Sequence, residues 1–327
     1  MRFAPFVGPV TAALVAAALL VNLYIAVPQR GHDGDLGGIA VAGDPVEDMA
    51  ARHEDTEKDG NPAPGTGAEL ADDARQAQAN PASDTEWERR AVPVVLRPGK
   101  ASVAIVIDDI GVDRARALQV IRLPAPLTLS FLPYGRDAPA LAILARQRGH
   151  EILLHMPMQP VGGENPGPHA LTVDLAAVEI RARVGAALDR FGDAVGLNNH
   201  MGSRFTAERR LLVPVVEELQ SRGLVFVDSR TAPSSQGIHA AEEVGLPVAM
   251  RDVFLDNDLA PEAIAKQFEE LERIARRRGH AVAIGHPHDA TTAALSGWLP
   301  RADERGIQVV PVSAIIRRSL ERPRSRP

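Results

Sequence analysis

The chain has no cysteine in 327 residues, so disulfide frameworks, zinc fingers and thiol nucleophiles are excluded, and any metal must be held by nitrogen or oxygen. Hydrophobic residues make up 45% and charged residues 24%, a globular composition with room for one large domain or two small ones. The net charge of −6, without a basic stripe interleaved with aromatics, gives no reason to expect a nucleic-acid partner.

Phe6 to Val27, "FVGPVTAALVAAALLVNLYIAV", is uncharged and apolar and has the ~20 residues that a bilayer-spanning helix needs. Arg2 precedes it and an acidic stretch follows it. Residues 1–30 are therefore expected to be a single-pass anchor in the cytoplasmic membrane, with the remainder outside, in the periplasm. The alternative is a cleaved signal peptide and a secreted product, although no convincing cleavage site precedes "VPQRG". Residues 31–96, rich in Ala, Asp, Glu, Gly and Pro without an apolar period, read as a disordered acidic spacer. Residues 28–90 hold 15 acidic and 6 basic residues, a balance of −9, which leaves about +3 for the rest.

From Ala101 the texture changes. Short aliphatic runs ("SVAIVI", "LTLSFL", "EILLH", "AVGLN", "LVFVD", "LPVAM", "AVAIG", "IQVVPV") alternate with amphipathic stretches such as 175–190 and 261–278. Arg-Gly pairs at 148–149, 222–223, 278–279 and 305–306 predict helix ends, with glycine in the left-handed cap and arginine facing the negative helix terminus. Apolar strands that alternate with helices predict a parallel α/β barrel over residues 97–327.

In such architectures chemistry collects at the carboxyl ends of the strands. Five apolar runs end in Asp108-Asp109, His155, Asn198-Asn199-His200, Asp228-Ser229-Arg230 and His286; the strand starts are expected to carry nothing comparable. Each group has a structural reading. The two aspartates can cap the helix that opens near Asp113, a lone histidine can be a satisfied core residue, the asparagines can be turn residues, and Asp228 can cap or pair with Arg230. Their coincidence on one face favours a site. His150 and His280, at the other end of their strands, read as structural. Asp109, His155 and His200 offer one carboxylate and two imidazoles, a set suited to zinc or a similar divalent ion. Asp108 is placed to accept a proton and His286 to return one, the equipment for hydrolysing an amide or ester.

At these residues the chain resembles the divergent polysaccharide deacetylase family, distant relatives of NodB-type carbohydrate esterases. The resemblance rests on "AIVIDDIG", "RGHEILLHMPMQP", "GLNNHMGSRFT", "FVDSRT", "RDVFLDN" and "AIGHPH", in this order. It implies an irregular (β/α) barrel of about seven parallel strands, with Asp108 as base, Asp109 and His155 as metal ligands and His286 as acid. Four residues after His155, where the family's second metal histidine is due, stands Gln159. His200 is expected to replace it, with Gln159 the other candidate. Asn198, Asn199, Ser203 and Arg204 are expected to surround the metal ligands, and Arg230, Arg251 and Asp256 to fill the family's remaining polar roles. The implied function is metal-dependent removal of acetyl groups from N-acetylated envelope carbohydrate. The alternatives are a non-catalytic carbohydrate-binding module on the same fold and hydrolysis of a different bond at the same site. The sequence names no protein partner.

Overall fold

The fold is described from a computed structural model, for residues 85–124 and 126–321. The expected membrane anchor and most of the expected spacer lie outside the described residues. Among the described residues no helix is long and apolar enough to cross a membrane.

After a short helix α1 (Glu86–Arg90), strands and helices alternate: β1 (Ala101–Ile110), α2 (Arg114–Ile121), β2 (Thr128–Phe131), α3 (Ala138–Gln147), β3 (Glu151–Met158), α4 (Ala177–Leu188), β4 (Ala194–Met201), α5 (Arg209–Ser221), β5 (Val225–Asp228) and α6 (Gly237–Val244). Then follow β6 (Val248–Met250), β7 (Val253–Phe254), α7 (Pro261–Arg278), β8 (His280–Gly285), α8 (Asp289–Trp298), β9 (Ile307–Val309) and α9 (Val312–Glu321). The helix over 261–278 has the predicted bounds. Gly149, Gly223, Gly279 and Gly306 all take positive φ, as the caps require, although Gly306 closes a turn after a single 3-10 turn, Leu299–Arg301.

All strand pairs are parallel, in the order β6-β5-β4-β3-β2-β1-β8-β7, with β9 on the start of β1. Among the described residues nine strands thus stand where about seven were expected; β7, only two residues long, has no pattern to announce it. The two ends of this path are consecutive in sequence. Arg251 N donates to Asp228 O at the end of β5, and Asp252 N donates to Val282 O in β8, so one bent segment changes partner and turns the sheet towards a barrel.

Alternation along the strands divides the core in two. Val103, Ile105, Ile107, Ile152, Leu154 and Phe226 face the helices. Ala104, Val106, Leu153, Val225, Val282 and Ile284 fill the interior, together with Trp87, Val310, Val312 and Ile315. These last four close the amino end of the barrel. Trp87 is 2% exposed and its backbone N–H donates to Gly223 O (2.8 Å) just before β5. Packing therefore starts ahead of residue 97, and the tail of the expected spacer is part of the fold.

The amino end is not free of buried polar groups, contrary to expectation. Glu151 is fully buried and accepts from Thr128 Oγ1 (3.2 Å), Ser313 N (3.1 Å) and the Ser313 hydroxyl. Burial raises its pKa despite those bonds. His150 bonds Leu127 N and Ile121 O. These groups bind α9 and the β1–β2 connection to the barrel floor, with polar atoms satisfied, and so read as structural.

Candidate metal centre

Two irregularities in strand pairing aim the polar residues inward. In β1, Ile107 pairs with Leu129 and Ile110 with Phe131, so Asp108 and Asp109 together oppose Ser130 alone. Neighbours on a regular strand point to opposite faces. This bulge, with Asp109 at φ 57°, brings both carboxylates to one site. In β4, Ile152 pairs with Ala194 but Leu153 with Gly196. Val195 and Gly196 thus share one step, and the alternation changes phase. Asn198 then pairs with His155, and Asn198 and His200 face the interior. Gly196 is required there, because a Cβ would stand 2.1 Å from Val225 O.

The three expected ligands converge. Asp109 Oδ1 lies 2.8 Å from His200 Nδ1 and 3.2 Å from His155 Nε2, and the two nitrogens are 3.2 Å apart. Ligands about 2.0–2.1 Å from a tetrahedral ion stand roughly 3.3 Å apart, so the three atoms have nearly the spacing of a loaded site. Asp109 Oδ1 is buried and accepts no well-formed hydrogen bond, although both imidazoles are near. A buried anionic oxygen without an aligned donor fits a cation between these groups. Burial opposes ionisation of Asp109, but the two imidazoles outweigh it and hold its carboxyl well below the usual range.

The amide of Asn198 sets the state of His155. Its Nδ2 donates to Asp108 Oδ1 (2.7 Å) and Ser229 Oγ (3.1 Å), which turns its Oδ1 towards Ser130 Oγ and His155 Nδ1 (2.8 Å). His155 must therefore carry its proton on Nδ1 and present an Nε2 lone pair to Asp109 and His200. Asp108 stays outside the triad, 3.6 Å from His155 Nε2. Burial raises its pKa, against the histidine charges and the Asn198 bond, which makes it a stronger base than an exposed aspartate.

His286 approaches from β8, its Nε2 4.0 Å from Asp109 Oδ2. Asp256 accepts from its Nδ1 (3.0 Å) and backbone N (2.6 Å), and from Thr291 Oγ1 (2.8 Å). Burial lowers the His286 pKa, but the bond to Asp256 and the charges of Asp108, Asp256 and Asp109 push it up to about 9. Phe254 stacks on the imidazole, with ring centroids 5.3 Å apart, and Arg251 caps Phe254 at 4.7 Å.

Residues 105–316 match the divergent polysaccharide deacetylase model. The chain belongs to this family. Over 193 residues it is 36% identical to the uncharacterized protein YibQ of Escherichia coli (strain K12), a match that covers 59% of this chain and 60% of that one. An uncharacterized Haemophilus influenzae protein is 35% identical over 211 residues, 64% of this chain and 75% of its own. The chain thus spans under two thirds of the Escherichia coli relative. The crystal structure of uncharacterized protein ATU2773 from Agrobacterium tumefaciens C58 superposes with a TM-score of 0.69 at 34% identity, over 71% of this chain and 95% of that chain.

Within this divergent deacetylase domain the remaining expected residues take other places. Gln159 is turned away from the triad, its Oε1 accepting from Val173 N (2.9 Å). Asn199 ties the ends of β4 and β5, from Met201 O (2.8 Å) to Ser229 N (3.0 Å). Asp228 accepts from Arg230 N and Ser235 Oγ, and Ser203 Oγ from Val161 N; Arg204 and Arg230 are exposed. These five shape the loops around the mouth and do not reach the triad. Ser130, Phe254 and Thr291 were not among the expected site residues, and Ser229 was expected only as part of the polar end of its strand. Ser130 stands beside Thr128 inside the apolar run "LTLSFL", where a strand hydroxyl carries no signal of its own. A cavity of about 410 Å³ is lined by Glu164, Met201, Ser203, Arg251, Phe254 and Asn257, of which Met201 follows His200 in the chain and Phe254 stacks on His286. A larger one of about 540 Å³, near Tyr134, Met156 and Arg183, lies on the helix side of β3, where no triad residue points.

Proposed function

We propose that the domain is a metal-dependent amidase that removes acetyl groups from N-acetylated envelope carbohydrate. The observation that carries this reading is the division of labour between adjacent aspartates: Asp109 sits 2.8 and 3.2 Å from two imidazole nitrogens, while Asp108 is buried, off that set and hydrogen-bonded to Asn198. Asp109, His155 and His200 would hold a divalent ion, zinc by the chemistry of the set, and leave coordination positions open. When bound, such an ion supplies Lewis acidity to the carbonyl and to the attacking water.

The chain's own residues account for the proton traffic. Asp108 takes a proton from the water as its oxygen adds to the acyl carbon. His286, protonated at neutral pH, gives a proton to the leaving nitrogen as the C–N bond breaks, so the products are acetate and a free amine. Asp256 holds His286 in place and keeps it charged, and Asn198 fixes both Asp108 and His155. The cavity at the mouth offers Ser203, Asn257, Glu164 and Arg251 as polar contacts, materials that suit a sugar. Family membership supports the carbohydrate class. The anchor expected in residues 1–30 would place the domain on the outer side of the cytoplasmic membrane.

The test is acetate release from N-acetylated glycans by the zinc-loaded protein, compared with protein stripped by chelator. Release that is lost with the metal and restored with zinc supports the reading. Tight sugar binding without release from any N-acetylated substrate would make the domain a binding module.

A further inference from the structure

We infer that Asp256, His286 and His288 form a second, inhibitory cation site, distinct in its ligand atoms from the Asp109 triad. These three residues each offer one donor atom within 4.8 Å of the others. The Asp256 side chain is fully enclosed. Its Oδ2 is occupied by His286 N (2.6 Å) and Thr291 Oγ1 (2.8 Å), whereas its Oδ1 meets only His286 Nδ1, at 3.0 Å. That pair already has the separation of two adjacent ligands on one ion. His288 completes the set. Its backbone N donates to His286 O (2.8 Å), a tight turn through Pro287 that leaves the two imidazoles on one side, with centroids 5.8 Å apart. The His288 ring is half-buried, caps no helix N–H and has no part in the proton traffic described above. Two imidazoles and one carboxylate select zinc, copper or nickel over magnesium or calcium.

The consequence follows from which atoms are used. The ion takes the place of the proton between His286 Nδ1 and Asp256 Oδ1. With Nδ1 on the ion, His286 keeps only the Nε2–H of a metal-bound imidazole, a far weaker acid than an imidazolium, so the leaving nitrogen loses an effective proton donor. Zinc at low concentration loads the triad, and zinc in excess silences it. The inhibitory half rests on the proposed amidase reading; the binding half does not.

The experiment is zinc titration of the chelator-stripped full-length protein, with bound metal counted by calorimetry and elemental analysis. The wild type is expected to take two equivalents, the second more weakly. His288→Ala is expected to keep the first and lose the second by more than about tenfold in affinity, and His200→Ala to lose the first and keep the second. In acetate release, excess zinc should inhibit the wild type and spare His288→Ala, whose rate at one equivalent matches the wild type. A single equivalent in the wild type, or two of unchanged affinity in His288→Ala, would overturn the site. Equal inhibition of both proteins by excess zinc would overturn its inhibitory role. A protein that binds two equivalents but releases no acetate sinks the amidase reading and leaves the second site standing.

Discussion

Asp108 and Asp109 share a dipeptide and differ in everything that matters chemically. One faces two imidazoles and stays ionised; the other is buried against an amide and its pKa rises. Asp108→Asn preserves shape and removes the base, so zinc content and melting temperature should change little while turnover falls by roughly 10²–10⁴. Loss of metal together with activity would instead make Asp108 a ligand. The His286–Asp256 pair carries a pH signature. His286 must be protonated to donate, so its activity limb falls as pH rises through about 9. Asp256→Asn removes the main stabiliser of the charged imidazole, and the alkaline limb should move to lower pH in a rate profile; an unmoved limb would assign it to another group. The same sign governs stability. Because the folded pKa is raised, the pair's contribution is complete below the ordinary histidine value of 6.5 and fades as pH rises through about 9.

At the scale of elements, two bulges build the site. Without the step at Val195–Gly196, Asn198 and His200 would point into the helix layer and Leu197 into the barrel. Gly196→Ala places a methyl against the Val225 carbonyl, 2.1 Å away. It should cost on the order of 1–3 kcal/mol and lower zinc affinity as well, as chemical denaturation and metal titration would show; stability lost with metal affinity intact would detach the bulge from the site. This level also separates what the sequence could show from what it could not. Apolar runs that end in Asp, His and Asn marked the strand ends and the three side chains that converge there, because buried polar groups are expensive and need a reason. Gly196 and Ser130 look ordinary in sequence, since a register shift depends on the neighbouring strand. For the same reason Asn199 and Asp228, read as candidates from their position, turn out to hold loops: side chains on successive strand residues face apart.

For the whole molecule, the barrel is stoppered at one end and carries the converging polar side chains at the other. Trp87 and α9 close the floor, and Arg90 Nη1 reaches Ala194 O (3.0 Å) at the start of β4. Trp87→Ala should destabilise the domain by about 3–5 kcal/mol, and a chain starting at Arg97 should melt well below one starting at residue 85 in calorimetry. Equal melting temperatures would show the arm to be dispensable. At the opposite end the proposed function needs one arrangement: three atoms from β1, β3 and β4 around a single ion, with Asp108 outside. Anomalous diffraction at the zinc edge, from crystals of the wild-type protein loaded with one equivalent, tests it directly. One strong peak is expected about 2.0–2.2 Å from Asp109 Oδ1, His155 Nε2 and His200 Nδ1, with Asp108 beyond bonding distance. A peak bound by Gln159 in place of His200, or no peak at the triad, would contradict it.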